Sequence, residues 1–231
     1  MNDYNLYYIL SILVFALTFA AQSYVRSIYS KYSNIQAYSS MNGASVARDI
    51  LDRNGLNNIS VNMVNGFLSD HYDPRNMKVA LSQKNYESSS VSALAIAAHE
   101  CGHALQHKES YAFLNIRTAL MPVANISSYM GYFAIMLGAF TNMMNLVWIG
   151  ILLEGVILLF QIVTLPVEFD ASRRALMVME EYGYVSDDQK KYAKKVLTAA
   201  ALTYVAGVAT TLMYILRLLL SFVGSNRRNR R

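Results

Sequence analysis

Thirty-six consecutive residues, Thr118 to Leu153, carry no charge, and no other feature of this chain limits its fold more. A helix crosses a bilayer core with about 20 apolar residues, so this run is too long for one crossing. With Glu154 as its single charge it continues to Val167, enough for a helical hairpin that turns near Thr141-Asn142. Tyr4 to Val25 and Val196 to Leu216 are also long enough to cross. The first of these lacks the basic leader and small-residue cleavage site of a signal peptide and reads as a retained anchor. Tyrosines 4, 7, 8, 24 and 29 bracket it, as interfacial anchors do. Composition agrees: the chain is 54% hydrophobic and 15% charged, against roughly 45–50% and 25% in soluble domains.

The net charge is +5, with the basic residues beside the apolar runs. That pattern suits contact with a lipid bilayer and excludes a nucleic-acid surface. Nothing basic precedes Tyr4, six Lys and Arg fall within 168–195, and the hairpin turn has none. The positive-inside rule then places the N-terminus outside, and residues 26–117 and 168–195 in the cytoplasm. The basic tail from Asn226 to Arg231 runs against this order. Either the last helix does not fully cross, or the tail is an exception. One cysteine, Cys101, leaves no internal disulfide.

The segment between the first two runs reads as a small α+β unit. Val46, Ile50 and Leu51 fall near helical spacing, and the pattern stops at Asn54-Gly55. Ile59, Val61 and Met63 alternate as a strand does, and Lys78 to Leu81 is a second short strand after a turn-like stretch, Asp70 to Asn76. Ser88 to Ser90 offer caps for a helix from Val91 to His107.

That helix carries His99-Glu100-Cys101-Gly102-His103. Residues four apart stack on one helix face, so both imidazoles can aim at one ion. Glu100, one step round, can reach a metal-bound water as general base. A catalytic zinc takes three protein ligands and keeps one position open. His107 lies roughly 12 Å along the axis from His99 and cannot share the ion. The metzincin spacing fails at Gln106 and Glu109, which leaves a downstream glutamate. Glu154 sits inside a span, and Glu180 and Glu181 lie further on. Position favours Glu168, which follows Pro166 where the third span should emerge on the side of the histidines; Glu180 and Glu181 remain open at this point.

Ala97 to His107, the hairpin, Val167-Glu168-Phe169-Asp170-Ala171-Ser172 and Leu68 to Pro74 together resemble the YugP-type neutral zinc metallopeptidases, multi-pass membrane proteins of bacteria. More distantly, the order of parts is similar to HtpX and the CAAX prenyl proteases. The resemblance implies a zinc enzyme of the bacterial plasma membrane, with Glu168 as third ligand to His99 and His103 and Glu100 as base. Its active site would face the cytoplasm and act on peptide or membrane-protein substrates. In the distant relatives an aspartate four residues after the glutamate supports the site; here that place is Ser172, and Asp170 is the nearest acid. The relatives also hold substrate on the strand before the motif helix, which would make Lys78 to Leu81 the receiving edge. By chemistry alone, His71, Tyr182 and Tyr184 are candidates to stabilise the oxyanion.

The expected fold class is membrane α-helical, with about four transmembrane helices and a small α+β, zincin-like catalytic domain of the gluzincin type. The expected parts are an anchor at 1–25, a catalytic domain at 26–117, a membrane hairpin at 118–167, a cytoplasmic segment at 168–195 and a last helix with its tail at 196–231. The alternative reading is a metal-binding membrane scaffold without turnover, against which an intact Glu100 argues. An intramembrane protease is disfavoured because only 12 uncharged residues, Ser88 to His99, flank the motif. Glu154 is expected to be neutral and hydrogen-bonded in the membrane, with Arg217 as a candidate partner.

Overall fold

The computed structural model describes residues 3–228, with the side chains of 3–5, 7 and 222–228 outside that description. The elements in order are α1 (Asp3–Tyr32), α2 (Gly43–Arg53), β1 (Ser60–Val64), β2 (His71–Asp73), β3 (Lys78–Ser82), α3 (Gln83–Glu87), α4 (Val91–Lys108), α5 (Ala112–Thr141), α6 (Met144–Glu181) and α7 (Asp187–Arg228). Two compact units divide the chain. One comprises 1–22, 116–165 and 203–231, and the other 23–115 and 166–202.

The first unit is all helix. Close approach of α5 to α6 depends on small residues, because a Cβ on Gly150 would stand 2.8 Å from the Gly131 carbonyl oxygen. Asn142, in the left-handed region at φ 56°, makes the turn between them. Phe15, Phe19, Tyr129, Tyr132, Phe140 and Leu152 are all more than 60% exposed. In water such a surface would drive aggregation, whereas lipid tails cover it at no cost. The described residues hold four helices long and apolar enough to cross a membrane, and the protein is a membrane protein. Arg217 donates to Ser11 Oγ at 3.1 Å. The tail beyond Arg228 lies outside the described residues.

The second unit has a conventional apolar core. Asn42 caps α2 by accepting from the Ser45 N–H at 2.8 Å, and Ser90 caps α4 by accepting from the Ala93 N–H at 3.2 Å. Val46, Ile50 and Leu51 on α2 pack with Leu94, Ala98 and Cys101 on α4 and with Ala175 and Met179 on α6. Cys101 is fully buried, its thiol donating to the Ala47 carbonyl at 3.6 Å. Tyr29 is core rather than interfacial: it is 4% exposed and donates to Asn85 Oδ1 at 2.8 Å.

The sheet corrects one expectation. Its strand order is β1-β3-β2, with β1 parallel to β3 and β2 antiparallel to it. Lys78 to Leu81 therefore lies in the middle of the sheet, paired on both sides, and cannot receive a substrate strand. Its sequence explains why: Val79-Ala80-Leu81 is apolar without alternation, the mark of a strand covered on both faces. Three residues of the turn-like stretch, His71 to Asp73, form β2 instead, in register with Ala80 to Lys78. Asp73 then caps the turn by accepting from the Arg75 N–H at 2.9 Å and the Asn76 side chain at 2.7 Å. Pro166, in this unit, cannot donate a helix hydrogen bond. It does not end α6, which continues to Glu181 and buries Val167, Ala171, Ala175 and Met179.

Candidate metal centre

Two helices of the second unit bring His99, His103 and Glu168 together. On α4 the two imidazoles lie edge to face with ring centroids 4.8 Å apart. From α6, Glu168 Oε2 stands 3.2 Å from His99 Nε2 and 3.6 Å from His103 Nε2. One ligand atom from each residue falls within 4.8 Å of the others. Ligand atoms around one tetrahedral zinc, at about 2.0–2.1 Å from it, stand roughly 3.3 Å apart. The spacing and the His2Glu chemistry both fit that ion. Glu180 and Glu181 do not enter this cluster, and Glu180 is paired with Lys190 at 2.6 Å.

Gly102 makes the approach of the two helices possible. A Cβ there would stand 2.6 Å from the Ala171 carbonyl oxygen and 3.2 Å from its carbonyl carbon. The glycine inside the motif is thus a contact point between α4 and the turn of α6 that follows Glu168.

Glu168 is 1% exposed. Burial pushes its carboxyl up, but hydrogen bonds and charge from His103 and His99 outweigh it and hold the group well below the usual carboxylate range. Glu100 is 7% exposed and behaves in the opposite way. Burial pushes it up to about 7, with Glu168 and Asp70 pushing the same way; His99 and the Tyr72 backbone N–H, which donates to it, pull against them. Asp70 is itself held by Ser82, whose backbone N–H donates at 2.7 Å, and by Asn85 at 2.9 Å.

Both histidines have partners on the ring nitrogen away from the cluster. Ser172 Oγ lies 3.3 Å from His99 Nδ1, and Gln106 Oε1 lies 3.0 Å from His103 Nδ1. Asp170 accepts from Gln106, Arg173 and Arg174. Burial raises its carboxyl, yet Arg173, Arg174 and Gln106 together hold it low. Ser172, which stands where the distant relatives have an aspartate, is therefore in contact with a candidate ligand. Gln106 was legible in the sequence only as the residue that breaks the metzincin pattern. The oxyanion candidates are engaged elsewhere: Tyr184 donates to Asp49, Tyr182 accepts from Asn54 at 3.2 Å, and His71 is exposed, with Nδ1 2.9 Å from the Ser69 carbonyl. His107 pairs with the Tyr72 hydroxyl at 2.8 Å.

Residues 7–223 match the family described as "Putative neutral zinc metallopeptidase". The chain belongs to this family. A curated relative, the "Putative membrane protease YugP" of Bacillus subtilis (strain 168), is 42% identical over 224 residues, covering 97% of this chain and 100% of the relative. No solved structure matches the chain. The family description carries zinc and peptidase chemistry, and among the described residues the cluster of two imidazoles and a carboxylate is the place suited to the ion.

Proposed function

We propose that this protein is a zinc-dependent endopeptidase of the bacterial plasma membrane, of the gluzincin type, with His99, His103 and Glu168 as ligands and Glu100 as general base. The observation that carries the reading is the convergence of Glu168 Oε2 on both Nε2 atoms within 3.6 Å. Zinc bound there would act as a Lewis acid and lower the pKa of a bound water. Glu100, with its carboxyl near 7 before metal enters, is suited to accept a proton at neutral pH and return it to the leaving amine.

The substrate edge passes from β3 to β2. Among the described residues β2 pairs only with β3, and its Tyr72 N–H faces Glu100. An extended peptide laid along that edge, backbone to backbone, would carry its carbonyls past the base with loose side-chain preference. Unstructured cytoplasmic or membrane-proximal segments are the expected substrates, with the active site on the cytoplasmic side.

Zinc content and casein cleavage, measured on wild type and Glu100→Gln in detergent, test this. About one zinc in both with cleavage by the wild type alone supports the reading. Zinc in both with cleavage by neither supports a scaffold. Absence of zinc from both sinks the metal assignment.

A further inference from the structure

We propose that Gln106 is the positioning residue that fixes the tautomer of His103 and ties the two ligand-bearing helices into one frame. The inference rests on His103 and Glu168 being zinc ligands. Gln106 is fully buried on α4, one turn beyond His103. Its amide nitrogen donates to the Val167 carbonyl on α6 at 2.8 Å and to Asp170 Oδ2 at 3.0 Å. Its amide oxygen lies 3.0 Å from His103 Nδ1.

The chemistry of those partners leaves one orientation. A backbone carbonyl only accepts, and so does the carboxylate of Asp170, ion-paired to Arg174 at 2.5 Å and to Arg173. Both amide hydrogens of Gln106 are therefore spent on α6, and its oxygen must face the imidazole. An oxygen there accepts, so His103 Nδ1 must carry the hydrogen. Nε2 is left facing Glu168, where it donates to the carboxylate while the site is empty and offers its lone pair once a metal displaces that hydrogen. Arg174 is held in turn by Glu109, the residue that follows α4, at 2.7 Å, so the links run from α4 through α6 and back to the end of α4.

His99 has no equivalent lock. Its Nδ1 faces the Ser172 hydroxyl at 3.3 Å, and a hydroxyl can donate or accept. Gln106 also grips the residue directly before Glu168 in the chain, so the same side chain that orients one ligand holds the backbone carrying another. A residue that only filled space at this position would need neither polar group.

Gln106→Met keeps the length and burial of the side chain and removes all three hydrogen bonds. We expect its zinc affinity, read by chelator competition on the full-length protein in detergent, to fall about 10–100-fold, with helix content by circular dichroism unchanged. In metal-free protein at pH 8, the 15N resonances of His103 should show a hydrogen held on Nδ1 in wild type and its loss from Nδ1 in Gln106→Met, where only Glu168 is left to accept from the ring. The double change Gln106→Glu/Asp170→Asn reverses the polarity of one link while keeping an acceptor for His103, and should recover part of the affinity lost in Gln106→Glu alone. Wild-type affinity and a hydrogen still held on His103 Nδ1 in Gln106→Met would overturn the proposal. Absence of zinc binding by the wild type would instead overturn the ligand assignment, while the tautomer measurement would still decide the role of Gln106.

Discussion

Two buried glutamates on the same helix behave as different kinds of residue. Glu154, in the first unit, is 9% exposed, and Glu168, in the second, is 1% exposed. Around Glu168 two imidazoles converge within 3.6 Å. Glu154 has Gly131 of α5 beside it, where an added Cβ would stand 3.7 Å from its Oε1, and its expected partner Arg217 reaches Ser11. Burial alone does not mark a metal ligand. What distinguishes Glu168 is that two imidazoles able to share an ion face it, each with a hydrogen-bond partner on its other ring nitrogen.

The largest effect that tests this contrast comes from exchanging the two carboxylates for amides in turn. Glu168→Gln should lose zinc affinity by at least about 100-fold, beyond the loss of a supporting partner, and lose proteolysis with it. Glu154→Gln should keep zinc content and activity within about twofold, a surface-like response. Equal losses in the two variants would erase the distinction.

A subtler comparison uses the glycines. Gly102→Ala forces a Cβ to 2.6 Å from the Ala171 oxygen, an overpacking cost of about 1–3 kcal/mol, and should weaken zinc binding by parting α4 from α6. Gly155→Ala in the first unit meets nothing within 4 Å and should change stability by no more than about 0.5 kcal/mol. Thermal melts and chelator competition read both.

Glu100 supplies a pH signature. With its carboxyl raised to about 7 in the metal-free protein, the folded state holds that proton more tightly than the unfolded chain. The stability this proton contributes is present below about pH 4.5 and is lost as pH rises to about 7. Glu100→Gln, which has no proton to lose, should melt close to wild type at pH 4.5. By pH 8 it should be more stable by up to about 3 kcal/mol, the cost of ionising a buried carboxyl raised to about 7. A constant gap across that range would contradict the buried, raised carboxyl. The smallest effect expected is from Ser172→Ala, a few-fold loss of zinc affinity, because its hydroxyl constrains His99 without dictating a tautomer.

Local signals in the sequence were enough for some elements. Spacing locates α2, and the cap at Ser90 locates α4, to within a residue or two, and the uncharged runs locate the membrane helices. Non-local facts were out of reach. β2 hides among turn formers because what makes it a strand is its pairing with β3, not its own three residues. Pro166 falls inside α6, whose buried face carries the helix through it. His99 and His103 announce themselves by spacing on one helix, whereas the partners of Gln106 lie 61 and 64 residues away. Periodicity shows which way a side chain faces and is silent on what waits opposite.

The buried Cys101 has a practical corollary. Burial and the neighbouring Glu100 push its thiol pKa far up, so the one native cysteine is silent to maleimides. A cysteine introduced anywhere on the surface becomes the sole reactive handle, with no need to strip out a native one first. In intact cells a membrane-impermeant maleimide should modify Thr141→Cys at the hairpin turn, and should reach Lys194→Cys only after lysis. The reverse order would turn the proposed orientation of the chain inside out.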